Sequence, residues 1–328
     1  MAVLVTGATG FLGAHLALAL CDQGVIATGR DRAKLARLKA LGLRSVALDL
    51  AHPVPAADRD RIGAVDAVVH CAALSSPWGR DAAFETANVT ATKNLLHLSR
   101  ALRARRFVFV STASVYFQFC DQDGLGEAQT APKFVNAYAR TKYAAEREVL
   151  KFNDLHPIVL RPRGIYGAGD TALLPRLMRV ARSRAVPRFS PAGATDITHV
   201  DDVVSACQRA IAADPVVSGE VFNISGGQGV ALPDIVAAAC AQCDVPLRWR
   251  DLPFGPALAA VRVMERMAKT LPGQPEPPAT AYALGILRYR QTMSLAHAQT
   301  ALGWQPQVNF EEGLRRTFAN GAMRQGVL

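Results

Sequence analysis

Through the first half of the chain, short apolar runs rich in valine alternate with stretches whose apolar residues recur every three or four positions. The runs fall at Val3 to Thr6, Val25 to Thr28, Ser45 to Leu48, Ala67 to His70, Phe107 to Ser111 and Ile158 to Leu160. The periodic stretches fall at Ala14 to Cys21, Arg32 to Leu41, Asp81 to Leu102 and Tyr138 to Phe152. A strand covered on both faces reads as an unbroken apolar run, and a helix lying on such a sheet shows one apolar stripe. The alternation therefore predicts βαβ units, in an α/β doubly wound parallel sheet with helices on both faces.

After Arg161 the rhythm loosens, with Pro162, Gly164, Gly167, Gly169 and Pro175 in close succession. A smaller substrate lobe is expected over 166–195 and 225–328, beside a first domain over 1–165. A helix at Asp196 to Ala212 and a strand at Val221 to Ile224 would return to that domain, so the lobe is discontinuous in sequence. Leu271 to Pro278, LPGQPEPP, reads as an extended loop. Just before it, Pro256 to Leu271 reads as a helix with Leu258, Val261, Met264, Ala268 and Leu271 on one side and Arg262, Glu265, Arg266 and Lys269 on the other. Such a helix would cover a hydrophobic substrate or make a peripheral membrane contact; packing on the core of its own lobe is the plainer reading.

With 328 residues, half of them hydrophobic, the chain has ample material for a buried core and is not intrinsically disordered. The net charge of +10 comes from scattered Lys and Arg, so no nucleic-acid arm is expected, although anionic ligands are favoured. Six cysteines at irregular positions form no disulfide framework, which points to a reducing cytoplasm. The Cys240-Ala241-Gln242-Cys243 spacing lacks a second pair, and no metal site is expected. The first basic residue is Arg30, so no cleavable leader is expected, and no apolar stretch reaches the length of a bilayer span.

The first run leads directly into Thr6-Gly7-Ala8-Thr9-Gly10-Phe11-Leu12-Gly13, followed at once by an apolar helix. Glycines at 7, 10 and 13 permit a tight turn, close approach of a pyrophosphate and tight helix packing, while the helix N-terminus directs free N–H groups at the anion. Gly7, Thr9, Gly10, Phe11, Leu12 and Gly13 thus form the expected phosphate turn of a Rossmann dinucleotide site. After the second strand stand Thr28-Gly29-Arg30-Asp31, where a ribose-binding carboxylate is usual. Gly29 leaves room and Arg30 can pair with a 2′-phosphate, so NADP(H) is favoured, with NAD(H) the alternative. Asp49 and Leu50 after the third strand are placed to meet the adenine.

Tyr138 and Lys142 are four residues apart and so share one face of the helix that starts there, with Asn136 available as a cap. A phenol is a poor acid-base catalyst at neutral pH unless a cation stabilises its anion, and Lys142 is the candidate. The fifth strand ends in Val110-Ser111-Thr112-Ala113-Ser114-Val115-Tyr116, whose hydroxyls project into the crevice where such sheets bind ligands.

These motifs in this order, with HCAA at His70 to Ala73, RPRGIYG at Arg161 to Gly167, THVDD at Thr198 to Asp202 and VFNISGG at Val221 to Gly227, resemble the extended short-chain dehydrogenases/reductases over nearly the whole chain. The resemblance implies Tyr138 as general acid-base, Lys142 as its partner and Thr112 as the third member, with Ser111 and Ser114 as substitutes. It implies that Ala72 and Ala73 line the nicotinamide side, that Asn88 lies near the same site, and that the backbone at Arg161 approaches the nicotinamide amide. It also implies a homodimer, paired through Asp81 to Leu102 and Tyr138 to Phe152. Trp78, Ser114 and Arg163 are the candidate substrate contacts.

Dehydratases of this family carry Thr-Asp-Glu where this chain has Thr112-Ala113-Ser114, so dehydration is disfavoured. Epimerases usually show an acidic residue after the second strand and Gly after Val-Tyr; Arg30 and Phe117 depart from both. STASVYF, YARTK, RPRGIYGAGD and LGWQP at Leu302 to Pro306 are most similar to the 3β-hydroxysteroid dehydrogenase and β-hydroxyketone reductase branch. The expected reaction is hydride transfer to or from a secondary alcohol or ketone of a largely apolar small molecule. A nucleotide-sugar epimerase and a non-catalytic NADP-binding sensor are the alternatives.

Overall fold

The computed structural model describes residues 1–319, so the end of the expected substrate lobe, 320–328, lies outside the described residues. Seven strands form the main sheet: β1 (Val3–Thr6), β2 (Val25–Gly29), β3 (Arg44–Ala47), β4 (Ala67–His70), β5 (Arg106–Val110), β6 (Pro157–Pro162) and β7 (Val221–Ile224). All are parallel, in the spatial order β3-β2-β1-β4-β5-β6-β7. β1, β4, β5 and β6 are buried at every position, which is why they read as unbroken apolar runs instead of alternating ones.

Successive residues of these strands feed two cores. Val3 and Val5 pack with Leu16, Leu35, Leu38, Val203 and Phe222, under helices Phe11–Ala19, Arg32–Ala40 and Val200–Ala212. Leu4, Val68, Phe107 and Phe109 pack with Leu95, Leu96, Ala145 and Val149, under helices Ala91–Ala101 and Ala137–Val149. The chain leaves β1 for β2 and β3 on one side, then crosses back to β4 on the other. That reversal opens a crevice at the C-terminal ends of β1 and β4.

The strand β7 joins the edge of the main sheet through β6, as its position in the sequence suggested. The helix expected from Asp196 begins only at Val200, because Thr198–His199 pairs as a short strand with Ile165–Tyr166 and His199 Nδ1 accepts the Asp201 N–H. Around it, short strands and the helices Leu174–Ser183, Leu232–Ala241, Phe254–Thr270 and Ala281–Arg288 build three smaller apolar clusters. Cys240 is buried and Cys243 partly so, both free thiols in one of these clusters. The stretch expected as one helix from Asp81 to Leu102 runs Asp81–Phe84, then a π-turn over Glu85–Thr90, then Ala91–Ala101.

Candidate active site

The glycine turn is dictated by backbone crowding. Gly7 has φ +69°, and a side chain there would meet the Ala72 backbone nitrogen at 2.6 Å. A Cβ on Gly13 would overlap the carbonyl of Gly7, so the first turn of helix Phe11–Ala19 lies directly on the strand end. Gly10 differs: a Cβ there would approach only the Gly7 oxygen, at 3.2 Å, and would otherwise project into open space. Gly10 is also the N-cap of that helix and gives it no side-chain cap, and no acidic residue stands in its first turn. Free N–H groups, a positive helix end and an unfilled cradle beside Gly10 fit the pyrophosphate of a dinucleotide. Leu12 faces inward, while Phe11 is partly buried and packs edge-on against His15.

At the ribose end the structure assigns Gly29 a packing role. A Cβ there would lie 2.6 Å from the Thr9 hydroxyl, so the space read from the sequence as room for phosphate is filled by the Thr9 side chain. Asp31 caps helix Arg32–Ala40, accepting from the N–H groups of Ala33 at 3.0 Å and Lys34 at 3.1 Å. Arg30 is exposed, with no ion pair among the described residues. Asp49 accepts the Ala51 N–H at 3.0 Å in a turn, and Leu50 is buried with its carbonyl bonded to Asn94.

Helix Ala137–Val149 starts where Asn136 accepts the Ala139 N–H at 2.9 Å, which sets Tyr138 in the first turn facing the crevice. The Tyr138 hydroxyl faces Ser75 and Thr112, whose hydroxyls favour its anion; burial outweighs them and holds its proton more tightly than an ordinary phenol does. Thr112 donates to the Ser114 hydroxyl at 3.1 Å, and Ser114 lies 2.8 Å from the Tyr282 hydroxyl. Three hydroxyls thus run in sequence from Thr112 through Ser114 to Tyr282, with the Tyr138 hydroxyl beside Thr112. Ser75 and Tyr282 were not singled out from the sequence as site residues. Ser75 lies in the loop beyond the end of β4, a place where it could have been sought; Tyr282 arrives from a helix remote in sequence and gave no local signal.

Lys142 shares the helix face but turns toward the sheet. Its amine donates to the Val110 carbonyl at 2.7 Å and lies 3.9 Å over the Phe109 ring. Burial brings its pKa down to about 7, against the opposing pull of Glu146. Ser111 is spoken for by the Glu146 carboxylate, which also takes a bidentate grip from Arg161, with the closest N···O contact at 2.6 Å. The Arg161 side chain therefore points inward, to Glu146, Tyr116 and the Glu127 carbonyl, and only its backbone stands at the end of β6. Arg163 is buried with its guanidinium on Thr195 at 2.7 Å, and is not drawn into the hydroxyl row.

Ala72 and Ala73 follow β4, with Ala72 against Gly7. His70 at the end of β4 is held between Thr6 at 2.7 Å and Thr92 at 3.0 Å, and burial keeps it neutral. In the π-turn, the Asn88 carboxamide accepts from Leu74 N–H at 2.8 Å and donates to Thr141 Oγ1 at 3.0 Å. A cleft of about 200 Å³ lies beside Asn136 and Ala137, bounded by the Trp78 loop and by Arg262, Glu265, Arg266 and Lys269 of helix Phe254–Thr270. The Trp78 indole donates to the Gln274 carbonyl at 2.9 Å across it. No group of His, Cys, Asp and Glu able to hold a metal occurs among the described residues.

A glycine turn before an uncapped helix, with a tyrosine, a lysine and a threonine at the crevice, defines an enzyme of the extended short-chain dehydrogenase/reductase class. Residues 3–225 match the model of the NAD dependent epimerase/dehydratase family, and the chain belongs to that family. It is 33% identical to 2-alkyl-3-oxoalkanoate reductase of Stenotrophomonas maltophilia, over 98% of this chain and 100% of the relative. To sterol-4-alpha-carboxylate 3-dehydrogenase, decarboxylating, of Saccharomyces cerevisiae it is 29% identical over 97% of each chain. The fold is similar to that of UDP-glucuronic acid 4-epimerase from Bacillus cereus, solved in complex with NAD. There the TM-score is 0.73 at 21% identity, over 96% of this chain and 94% of that one.

Proposed function

We propose that the protein is an NADP(H)-dependent oxidoreductase that interconverts a ketone and a secondary alcohol on a largely apolar small molecule of the β-hydroxyketone or 3β-hydroxysteroid type. The observation that carries this reading is the placement of the Tyr138 hydroxyl beside Thr112 and Ser75, in the first turn of its helix at the mouth of the crevice.

The dinucleotide, when bound, supplies or accepts the hydride. Gly10 leaves its phosphates close access to backbone N–H groups, Gly7 and Gly13 let the turn and helix pack tightly beneath, and Arg30, exposed and free of ion pairs among the described residues, is the group assigned to a 2′-phosphate. Asp31, the nearest carboxylate, is occupied in capping, which favours the same coenzyme. In the reducing direction Tyr138, kept protonated by burial, delivers its proton to the carbonyl oxygen while Thr112 shares that oxygen. Lys142, one turn along, favours the phenolate that results when its own amine is charged. Behind the Ser114–Tyr282 contact the buried Phe117 ring meets the Tyr282 ring edge-on at 5.0 Å, an apolar backing for the hydroxyl row. The names of the two enzyme relatives, one acting on a 3-oxo acid and one at a sterol 3-position, support oxygen chemistry on apolar skeletons.

The test is a panel of steroids, β-ketoacyl compounds, phenylpropanoids and nucleotide sugars, each with NADP(H) and NAD(H). Turnover of an apolar ketone is expected, and Tyr138→Phe should lower it by about 10²- to 10⁴-fold while coenzyme binding persists. A Tyr138→Phe protein that keeps most of its turnover, or activity confined to nucleotide sugars, would overturn the proposal.

A further inference from the structure

Helix Phe254–Thr270 is amphipathic, but not along the line that its sequence suggested. Val261 and Ala268 go into the core, with Leu258 partly buried beside them. Met264 and Leu271, expected on that same apolar side, instead stand outside, 37% and 52% exposed. They join Val263 at 52% and Met267 at 63%, so that four of the seven large apolar side chains exposed among the described residues fall within this one stretch. With exposed Pro256 and Ala260, the residues 256, 260, 263, 267 and 271 step by four, three, four and four, which makes one continuous ridge along the solvent side. A patch of this kind marks a docking surface.

One flank of the ridge is basic. Arg262, Arg266 and Lys269 are exposed, at steps of four and three along the same helix. The neighbouring acids are engaged elsewhere: Glu265 accepts the Ala281 N–H at 2.9 Å, Asp251 pairs with Arg188 at 2.7 Å, and Glu276 pairs with Arg176. We propose that this helix docks the protein on a lipid bilayer whose surface carries anionic headgroups, with Val263, Met267 and Leu271 entering the interface and Arg262, Arg266 and Lys269 meeting the headgroups. An apolar ridge beside cations is the composition that an interfacial helix needs. A second copy of the chain, docked antiparallel, fits less well. An antiparallel pairing of two such helices about a two-fold axis sets both basic rows along the same edge, cation against cation. The cleft beside Trp78 and Asn136 is walled by the same three cations and reaches Ala137, the residue before Tyr138.

The test uses the full chain without substrate or coenzyme, so its outcome is separate from the assignment of activity. Flotation with vesicles of phosphatidylcholine alone, and of phosphatidylcholine with phosphatidylglycerol, measures binding directly. Binding to the anionic vesicles, weakened by salt, is expected. Val263→Ser with Met267→Ser should weaken it by at least about tenfold, and Arg266→Glu with Lys269→Glu should abolish the preference for anionic lipid, all with unchanged melting. Absence of binding to either vesicle, equal binding by the variants, or a serine variant that merely converts dimer to monomer would each overturn the proposal.

Discussion

Lys142 is the buried group whose chemistry is most open to measurement. Its amine is 2% exposed, and its pKa falls from the ordinary 10.5 to about 7, through burial first. In the unfolded chain the same amine holds its proton to the ordinary value. Between the two, unfolding takes up one proton, and raising the pH therefore favours the folded protein. The slope due to this residue is at most about 1.4 kcal/mol per pH unit. Below pH 7 the folded state carries a charge offset by the Val110 carbonyl, the Phe109 ring and the field of Glu146, which together do not repay its burial. Lys142→Met removes the amine and keeps much of its volume. Urea unfolding of both proteins from pH 7 to about pH 9 should show a rising stability in the parent that the variant lacks. Stopping near pH 9 limits the opposing slope of Cys71, whose thiol burial pushes up to about 12 and which starts to weaken the fold as the unfolded thiol ionises. Other titrating groups are common to both proteins and drop out of the difference. Ketone turnover should fall in the same variant. Identical slopes in the two proteins would refute the assignment of a displaced proton to this lysine.

Two further outcomes follow from the dinucleotide cradle. Arg30→Ala removes a charge-assisted contact of about 1.5–3 kcal/mol, so affinity for NADP(H) should drop by about ten- to a hundredfold with NAD(H) little changed, as read by coenzyme titration; an equal effect on both coenzymes would remove the 2′-phosphate role. Gly13→Ala forces a methyl onto the Gly7 carbonyl, which is backbone and cannot swing aside, so a loss of about 1–3 kcal/mol in stability is expected together with weakened coenzyme binding. An unchanged melting temperature would show that the turn relaxes freely.

Most of the sheet was legible because strands such as Val3–Thr6 and Ala67–His70 are buried on both faces, and no competing pattern produces unbroken apolar runs of that length bounded by turns. The glycine turn and the helix that carries both Tyr138 and Lys142 were legible because both depend on residues near one another in sequence. What was not legible came from contacts between distant segments. Gly29 is small because Thr9 leans on it, and Tyr282 enters the hydroxyl row from 168 residues beyond Ser114. Helix Phe254–Thr270 misled for another reason: it has two apolar stripes, and the sequence alone does not say which of them the core takes.

The Asn88 carboxamide has one more consequence. It fastens the segment bearing Ser75 to the helix bearing Tyr138, by way of Leu74 and Thr141, so that these two walls form a stationary jaw. Any widening of the entrance falls to the opposite jaw, helix Phe254–Thr270 and the proline-rich strap behind it. Among the described residues, the indole bond from Trp78 to Gln274 is the one hydrogen bond that latches that strap to the Trp78 loop. Moving that jaw costs more than this one bond, since Glu276 pairs with Arg176, Arg184 donates to the Pro278 carbonyl and Val261 anchors the helix in its own core; the proton-transfer side stays undisturbed by it.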